Sequence, residues 1–276
     1  VDRDARALLT LRQLRQLLLE VKQIGTIDTV YFEGGEPFLF YAVLLEGLWM
    51  VRDASLRAGI VTNSYWATSE EDAEQWLRPM RDLDIADFSV SDDEFHSSKG
   101  AQSPGAIAHR AAKRLGFPCA KICIKPPTVP QAPDAAGGKG RPVTGGGVLF
   151  KGRTAEKITA GLPVRPCKEL TTCPHEELAD PERVHVDAYG NVHVCQGLSI
   201  GNMWKTPLSK LWRDYKAGEH PIVGPLVEGG PARLVERFGL KMAGAYVDEC
   251  HLCYLARKSL LPDYPEYLAP PQPFCL

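Results

Sequence analysis

The chain has 276 residues, 44% hydrophobic and 24% charged. That is the composition of an ordinary globular protein with room for one large domain, or a large and a small one. A formal net charge of −2 argues against a general nucleic-acid or membrane-surface binder. No apolar run approaches the roughly 20 residues that span a bilayer.

Residues 4–24 predict an amphipathic helix, with Leu8, Leu11, Leu14, Leu18 and Val21 three or four apart. The chain enters this helix almost directly from Val1, with no signal peptide. Such an opening predicts a segment upstream, and a cytoplasmic location is expected. Residues 29–33 read as a strand that ends in Gly34-Gly35-Glu36-Pro37. A helix over 41–58 and a short strand over 59–63 follow. Residues 69–81 read as a helix capped by Ser69, with Glu70, Glu71 and Asp72 in its first turn. A strand over 86–91 runs into Asp92-Asp93-Glu94-Phe95-His96, a helix over 104–115 stops at Gly116, and a strand covers 119–125. Short connections between alternating helices and strands predict a parallel sheet or barrel, with ligand sites at the C-terminal strand ends. The Pro/Gly/Ala-rich stretch 126–147 reads as a mobile loop, and 147–151 as a further strand.

From Cys167 onward the pattern changes. Residues 183–195 alternate as a β-hairpin with Tyr-Gly-Asn in its turn. Thr206 reads as the cap of a short helix that has Pro207 in its first turn. Residues 231–238 and 243–260 read as helical, followed by a Pro-rich tail. Eight cysteines without a secretion signal predict metal or redox use rather than a disulfide framework. Cys173, Cys195, Cys250 and Cys253 stand out, the last two as a CxxC. Four thiolates in such an arrangement suit either tetrahedral zinc or an iron–sulfur cluster. Cys167 is an alternative ligand. Cys119 and Cys123 on their strand, and Cys275 near the end, read as unrelated. His175 and His251, each close to a cysteine ligand, are candidates for hydrogen bonds to its sulfur. His185 and His193 read as packing or solvent-facing residues.

Tyr31-Phe32-Glu33-Gly34-Gly35-Glu36-Pro37 resembles the GGEP element of radical S-adenosylmethionine (SAM) enzymes, which follows the second strand of a β/α barrel. The resemblance implies that Gly34, Gly35, Glu36 and Pro37 hold the methionyl amine of SAM. It also implies that Thr62, Asn63 and Ser64 face its ribose or carboxylate, and that Ser89 and Ser91 reach the ribose. Glu36, at the tip of the turn, is expected to hold a cationic group. Asp93, Glu94 and His96 at the same mouth are candidate acid/base or cation-binding groups, with an exposed acidic loop as the alternative. The series Cys173, Gly190-x4-Cys195, Cys250-x-x-Cys253 is similar to the SPASM auxiliary-cluster domain in its shortened form, called twitch. No cysteines follow the CxxC where the full SPASM domain has them.

The fold implied is a partial (β/α)6 TIM-like barrel over 1–160, its first strand upstream of Val1, with a smaller C-terminal α+β cysteine-rich domain over 161–276. The CxxxCxxC that binds the catalytic [4Fe–4S] cluster in this family is absent from these residues; it is expected upstream of Val1, removed or disordered, with a degenerate family member as the alternative. The implied activity is reductive cleavage of SAM to a 5′-deoxyadenosyl radical that abstracts hydrogen from a peptide or small-molecule substrate. The implied cofactors are SAM, the catalytic cluster and an auxiliary cluster, and the implied partner is a one-electron reductant such as a flavodoxin or ferredoxin. The rival reading is a non-catalytic α/β binding or scaffold protein with a structural zinc site. A hydrolase or dehydrogenase has no GxSxG or GxGxxG to support it.

Overall fold

The structure is a computed structural model that describes residues 7–93, 95, 102–127, 147–242 and 244–275. It divides into two compact units, one of Leu9–Lys125 and the other built on Pro126–Leu276. The stretch after Gly147 therefore groups with the C-terminal unit, although the sequence pattern assigned residues up to 160 to the barrel. Most of the loop expected over 126–147 lies outside the described residues.

The first unit runs α1 (Leu11–Ile24), β1 (Thr29–Phe32), α2 (Tyr41–Asp53), β2 (Arg57–Thr62), α3 (Glu70–Leu77), β3 (Ile85–Ser91), α4 (Pro104–Arg114) and β4 (Cys119–Ile122). Its four strands pair in chain order, all parallel. Helix α1 begins seven residues later than the leucine spacing predicts. Thr10 forms a capping box, its hydroxyl accepting from the Gln13 N–H while the Gln13 side chain accepts from the Thr10 N–H. Leu8 is left exposed ahead of it, and Leu14, Leu17, Leu18 and Val21 form the buried stripe. Helix α2 ends at Asp53 rather than 58, because Ser55 takes a left-handed conformation (φ 60°) that turns the chain into β2. Helix α3 keeps its Ser69 cap and gives way at Arg78–Met80 to a 3-10 turn, where Pro79 has no N–H to continue the ladder.

Alternation along the strands splits the sheet into two faces. Phe32, Ala58, Ile60, Phe88 and Val90 turn to the helical side, Phe32 lying beside Gly47 of α2 and Leu14 of α1. Tyr31, Gly59 and Asp87 stand side by side in register on the other face. The ring of Tyr31 occupies the space that a side chain at Gly59 would need.

In the second unit, residues 147–150 form no strand. Val148 and Phe150 are buried singly before the chain turns at Gly152 into α5 (Arg153–Lys157). The described parallel sheet accordingly has four strands, and the fifth one expected in this chain is absent from it. A short ladder pairs β5 (Arg165–Pro166) with β9 (Ala245–Tyr246). The predicted hairpin is present as β6 (His185–Val186) and β7 (Asn191–Cys195), and β8 (Leu198–Asn202) extends it to three antiparallel strands. Helix α6 (Leu208–Asp214) takes Pro207 as its N-cap in place of Thr206, whose N–H instead donates to the Asn202 carbonyl. Helix α7 (Val223–Arg237) starts well before residue 231 and kinks at Gly229 and Gly230, just ahead of Pro231. Helix α8 (Glu249–Leu260) starts later than expected because Asp248 caps it, accepting from the His251 N–H at 2.8 Å. The core joins Leu178, Val194, Leu198, Ile222, Tyr254 and Leu260 to Leu268 and Phe274 of the Pro-rich tail. Among the described residues no helix is long and apolar enough to cross a membrane.

Leu48 of α2 is fully buried. Leu48→Ala is expected to cost about 2–5 kcal/mol of unfolding free energy, read from urea titration. A loss below about 1 kcal/mol would contradict the packing described.

Candidate active site and metal centre

Gly34 and Gly35 leave β1 with φ of 77° and 42°, and a Cβ at either would meet nothing within 4 Å. The turn therefore shows bare backbone to open space, in a conformation that favours glycine. Glu36 behaves differently from the expectation that it holds a cation. It is only 6% exposed. Its Oε1 accepts from Thr62 Oγ1 at 2.7 Å and from the Phe38 N–H at 3.1 Å, and its Oε2 accepts from the Asn63 N–H at 2.7 Å. The carboxylate thus clamps the turn after β1 to the end of β2, with charge-assisted bonds of the stronger kind.

Thr62 Oγ1 in turn accepts from the Ser64 N–H at 3.0 Å and Trp66 Nε1 at 3.1 Å. Trp66 stacks on Phe38 at 4.3 Å, and Tyr41 and Trp76 meet edge to face alongside at 4.9 Å. This aromatic base went unread in the sequence, where the rings are scattered over 39 positions and share no period. Ser64 is fully buried at φ 62°, and its Oγ has no hydrogen-bond partner. An orphaned buried hydroxyl beside a turn of bare backbone fits a polar ligand at this strand end. Asn63 uses its side chain locally, Oδ1 accepting from the Tyr65 N–H at 3.0 Å.

The end of β3 is less uniform. Ser89 donates to the Asp87 carboxylate at 3.0 Å, and Ser91 is half-buried. On the non-helical face, burial and then Asp87, which accepts from the Tyr31 hydroxyl, raise the Tyr31 pKa. Asp93 is buried, its carboxylate accepting from the Phe95 N–H at 3.0 Å and the Ile124 N–H at 3.2 Å. It ties the ends of β3 and β4 together rather than standing open as an acid or base. Asp92 beside it binds Lys121 at 2.6 Å and Ser103 at 2.5 Å. Glu94 and His96 lie outside the described residues.

In the second unit Cys173, Cys195, Cys250 and Cys253 line one pocket, together with Lys151, His175 and Arg257. Cys173 precedes β6, Cys195 ends β7, and the CxxC occupies the first turn of α8. Cys167 lies elsewhere, packed against Leu170, Tyr246 and Leu252. His251 is turned to Tyr246 and accepts from the Val247 N–H at 3.3 Å, so only His175 of the two candidate histidines borders the pocket. His193 is buried against Asp187 at 3.2 Å.

Among the described residues the sole triad of ligand atoms within 4.8 Å of one another is His175, Asp248 and Cys250. No three of the four pocket thiols come that close. A tetrahedral zinc with Zn–S bonds of ~2.3 Å would hold its sulfurs ~3.8 Å apart, so the thiol spacing favours a larger centre. Burial pushes the Cys173 and Cys250 thiols up and Cys253 to about 11. Burial opposes the charge on Arg257, but Cys253, Cys195 and Cys250 outweigh it and raise its pKa. These two effects meet only when the thiols are ionised, which at neutral pH requires a metal to displace their protons.

The glycine turn at a parallel strand end is similar to the GGEP element of radical SAM enzymes. The fold matches the crystal structure of BtrN in complex with AdoMet and 2-DOIA, with a TM-score of 0.50 and 16% identity over 78% of this chain and 73% of that one. In sequence, 84 residues are 27% identical to YydG of Bacillus subtilis (strain 168), a protein assigned to peptide biosynthesis. That match covers 30% of this chain and 26% of YydG, so it spans about a quarter of the relative's length. No protein-family model matches the chain.

Glu36→Ala strands three donors, one of them the buried Thr62 hydroxyl, and is expected to destabilise the chain by about 1–3 kcal/mol in chemical denaturation. An unchanged midpoint would contradict the clamp. Because the thiols are held protonated, metal loading at the cysteine pocket should strengthen as pH rises. Calorimetry in two buffers of different ionisation enthalpy should register proton release, and pH-independent loading would contradict it.

Proposed function

We propose that this chain carries the SAM-binding barrel segment and the auxiliary-cluster segment of a radical SAM enzyme. The observation that carries the reading is the Gly34–Gly35 backbone, held open at the strand end by the Glu36 clamp on Thr62 and Asn63. The uncovered backbone carbonyls of that turn would accept from an ammonium group, with Glu36 fixing their direction instead of binding the amine itself. Ser64 supplies an unused hydroxyl for the ribose or carboxylate, with Ser89 and Ser91 further along the strand ends. SAM bound at a reduced [4Fe–4S] cluster supplies a carbon-centred radical that takes hydrogen from substrate. The tasks of this chain's residues are to orient the ligand and keep water out.

The four-cysteine pocket would hold an auxiliary iron–sulfur cluster through Cys173, Cys195, Cys250 and Cys253. Two features support a cluster over a lone zinc ion: thiols spaced wider than a single ion needs, and the unpartnered Arg257 Nε among them. The likeness to YydG favours a peptide substrate over a small molecule, with electrons from a one-electron reductant of the flavodoxin or ferredoxin kind.

Anaerobic reconstitution with iron and sulfide is expected to give a brown protein containing the two in equal amounts. A colourless protein holding one zinc would overturn the cluster reading. SAM titrated into the reconstituted chain should bind saturably. Gly35→Val, which places a branched side chain at φ 42°, should weaken that binding at least about tenfold. Equal affinity in the variant would remove the turn from the site.

A further inference from the structure

We infer that Arg257, with Lys151, is the built-in counter-charge of the four-cysteine centre and raises the reduction potential of the cluster held there; this rests on the cluster reading above. Arg257 lies on α8, one helical turn beyond Cys253, and is 2% exposed. A guanidinium stays charged in proteins, and a buried charge is costly unless paired. Yet Arg257 has no carboxylate partner among the described residues. One of its terminal nitrogens donates to the Gln196 carbonyl at 3.0 Å, its Nε is unpartnered, and its plane lies over the Phe274 ring at 5.7 Å. Arg257 lines the same pocket as Cys253, Cys195 and Cys250, whose charge when ionised favours its own.

The pocket's carboxylates are committed to other cations. Glu249 pairs with Arg165 at 2.8 Å, and Glu176 with Arg183 at 3.2 Å. Lys151 approaches from the segment just before α5, its Nζ 3.9 Å from Cys195 Sγ. Two cations thus face four thiols, and the one acid close to a thiol, Asp248 within 4.8 Å of Cys250, caps α8 through the His251 N–H. Four cysteinate ligands on a [4Fe–4S]2+ core sum to a charge of about −2, and one-electron reduction takes it to about −3. Fixed positive charge favours the more negative, reduced state and so moves the potential upward. Arg257 touches no reacting atom in this account. It acts through the cluster.

The test is a redox titration of the anaerobically reconstituted 276-residue chain, followed by electron paramagnetic resonance. The chain contains no CxxxCxxC, so the signal reports the four-cysteine centre. Arg257→Met is expected to lower the reduction equilibrium constant at least about tenfold, about 59 mV for one electron, with Arg257→Lys recovering most of it. Lys151→Met should shift it in the same direction by less. If Arg257→Met fails to fold, Arg257→Gln and Lys151→Met still decide, because wild-type potentials in both charge-removing variants would refute the counter-charge. Iron and sulfide analysis of the wild type separates the two ideas. A wild type without a cluster refutes the centre itself, whereas a loaded wild type and an Arg257→Met variant of equal potential refute only the role of Arg257.

Discussion

The strand-end site depends on one buried carboxylate. Glu36 joins the turn after β1 to the end of β2 through a hydroxyl and two backbone N–H groups. Without that clamp, two adjacent glycines in left-handed conformations would have no reason to hold a single orientation. The hydrogen-bond chain continues from Glu36 through Thr62 to Ser64 and Trp66, and Trp66 stacks on Phe38 directly after the clamp. Backbone display, polar network and aromatic base are therefore one mechanical unit. Its acid serves to position other groups, leaving the glycine backbone uncovered by side chains and the Ser64 hydroxyl without a partner.

The cysteine pocket is arranged on a different principle. There the polar groups are not paired off against each other. Glu249 and Glu176 are drawn away by Arg165 and Arg183, and Asp248 beside Cys250 caps α8, leaving Arg257 and Lys151 to face the thiols. Such an arrangement is uncomfortable while the thiols are neutral, since Arg257 then lacks a counter-ion in a buried setting. The proposed anionic metal–thiolate centre would balance it. The pocket belongs to a core that includes β7, β8, α8 and the chain's last residues, so occupancy of the pocket and packing of this unit are linked.

Much of this was legible along the chain. The alternation of helices and strands, the parallel order it implies, the glycine turn and the membership of the four cysteines all follow from local patterns, and the structure brings those four together. Helix and strand limits were less legible where a capping side chain or a left-handed residue outranked hydrophobic spacing, as at Thr10, Ser55 and Asp248. The segment 147–151 alternates too briefly to distinguish a strand from single buried residues, and Val148 and Phe150 are the latter.

By itself the sequence determined which residue types stand at the strand ends and which thiols share a spacing, because turns, strands and CxxC pairs are local in the chain. Only the tertiary structure decided what each polar group is free to do. Glu36 and Asp93 look like available acids in one dimension, but both are consumed by N–H groups that folding brings to them. Arg257 looks like an ordinary charge near the end of a helix and proves to be buried beside the pocket that β7 and α8 line with thiols. Pairing and desolvation depend on distances between residues far apart in the chain, and no local pattern encodes those distances.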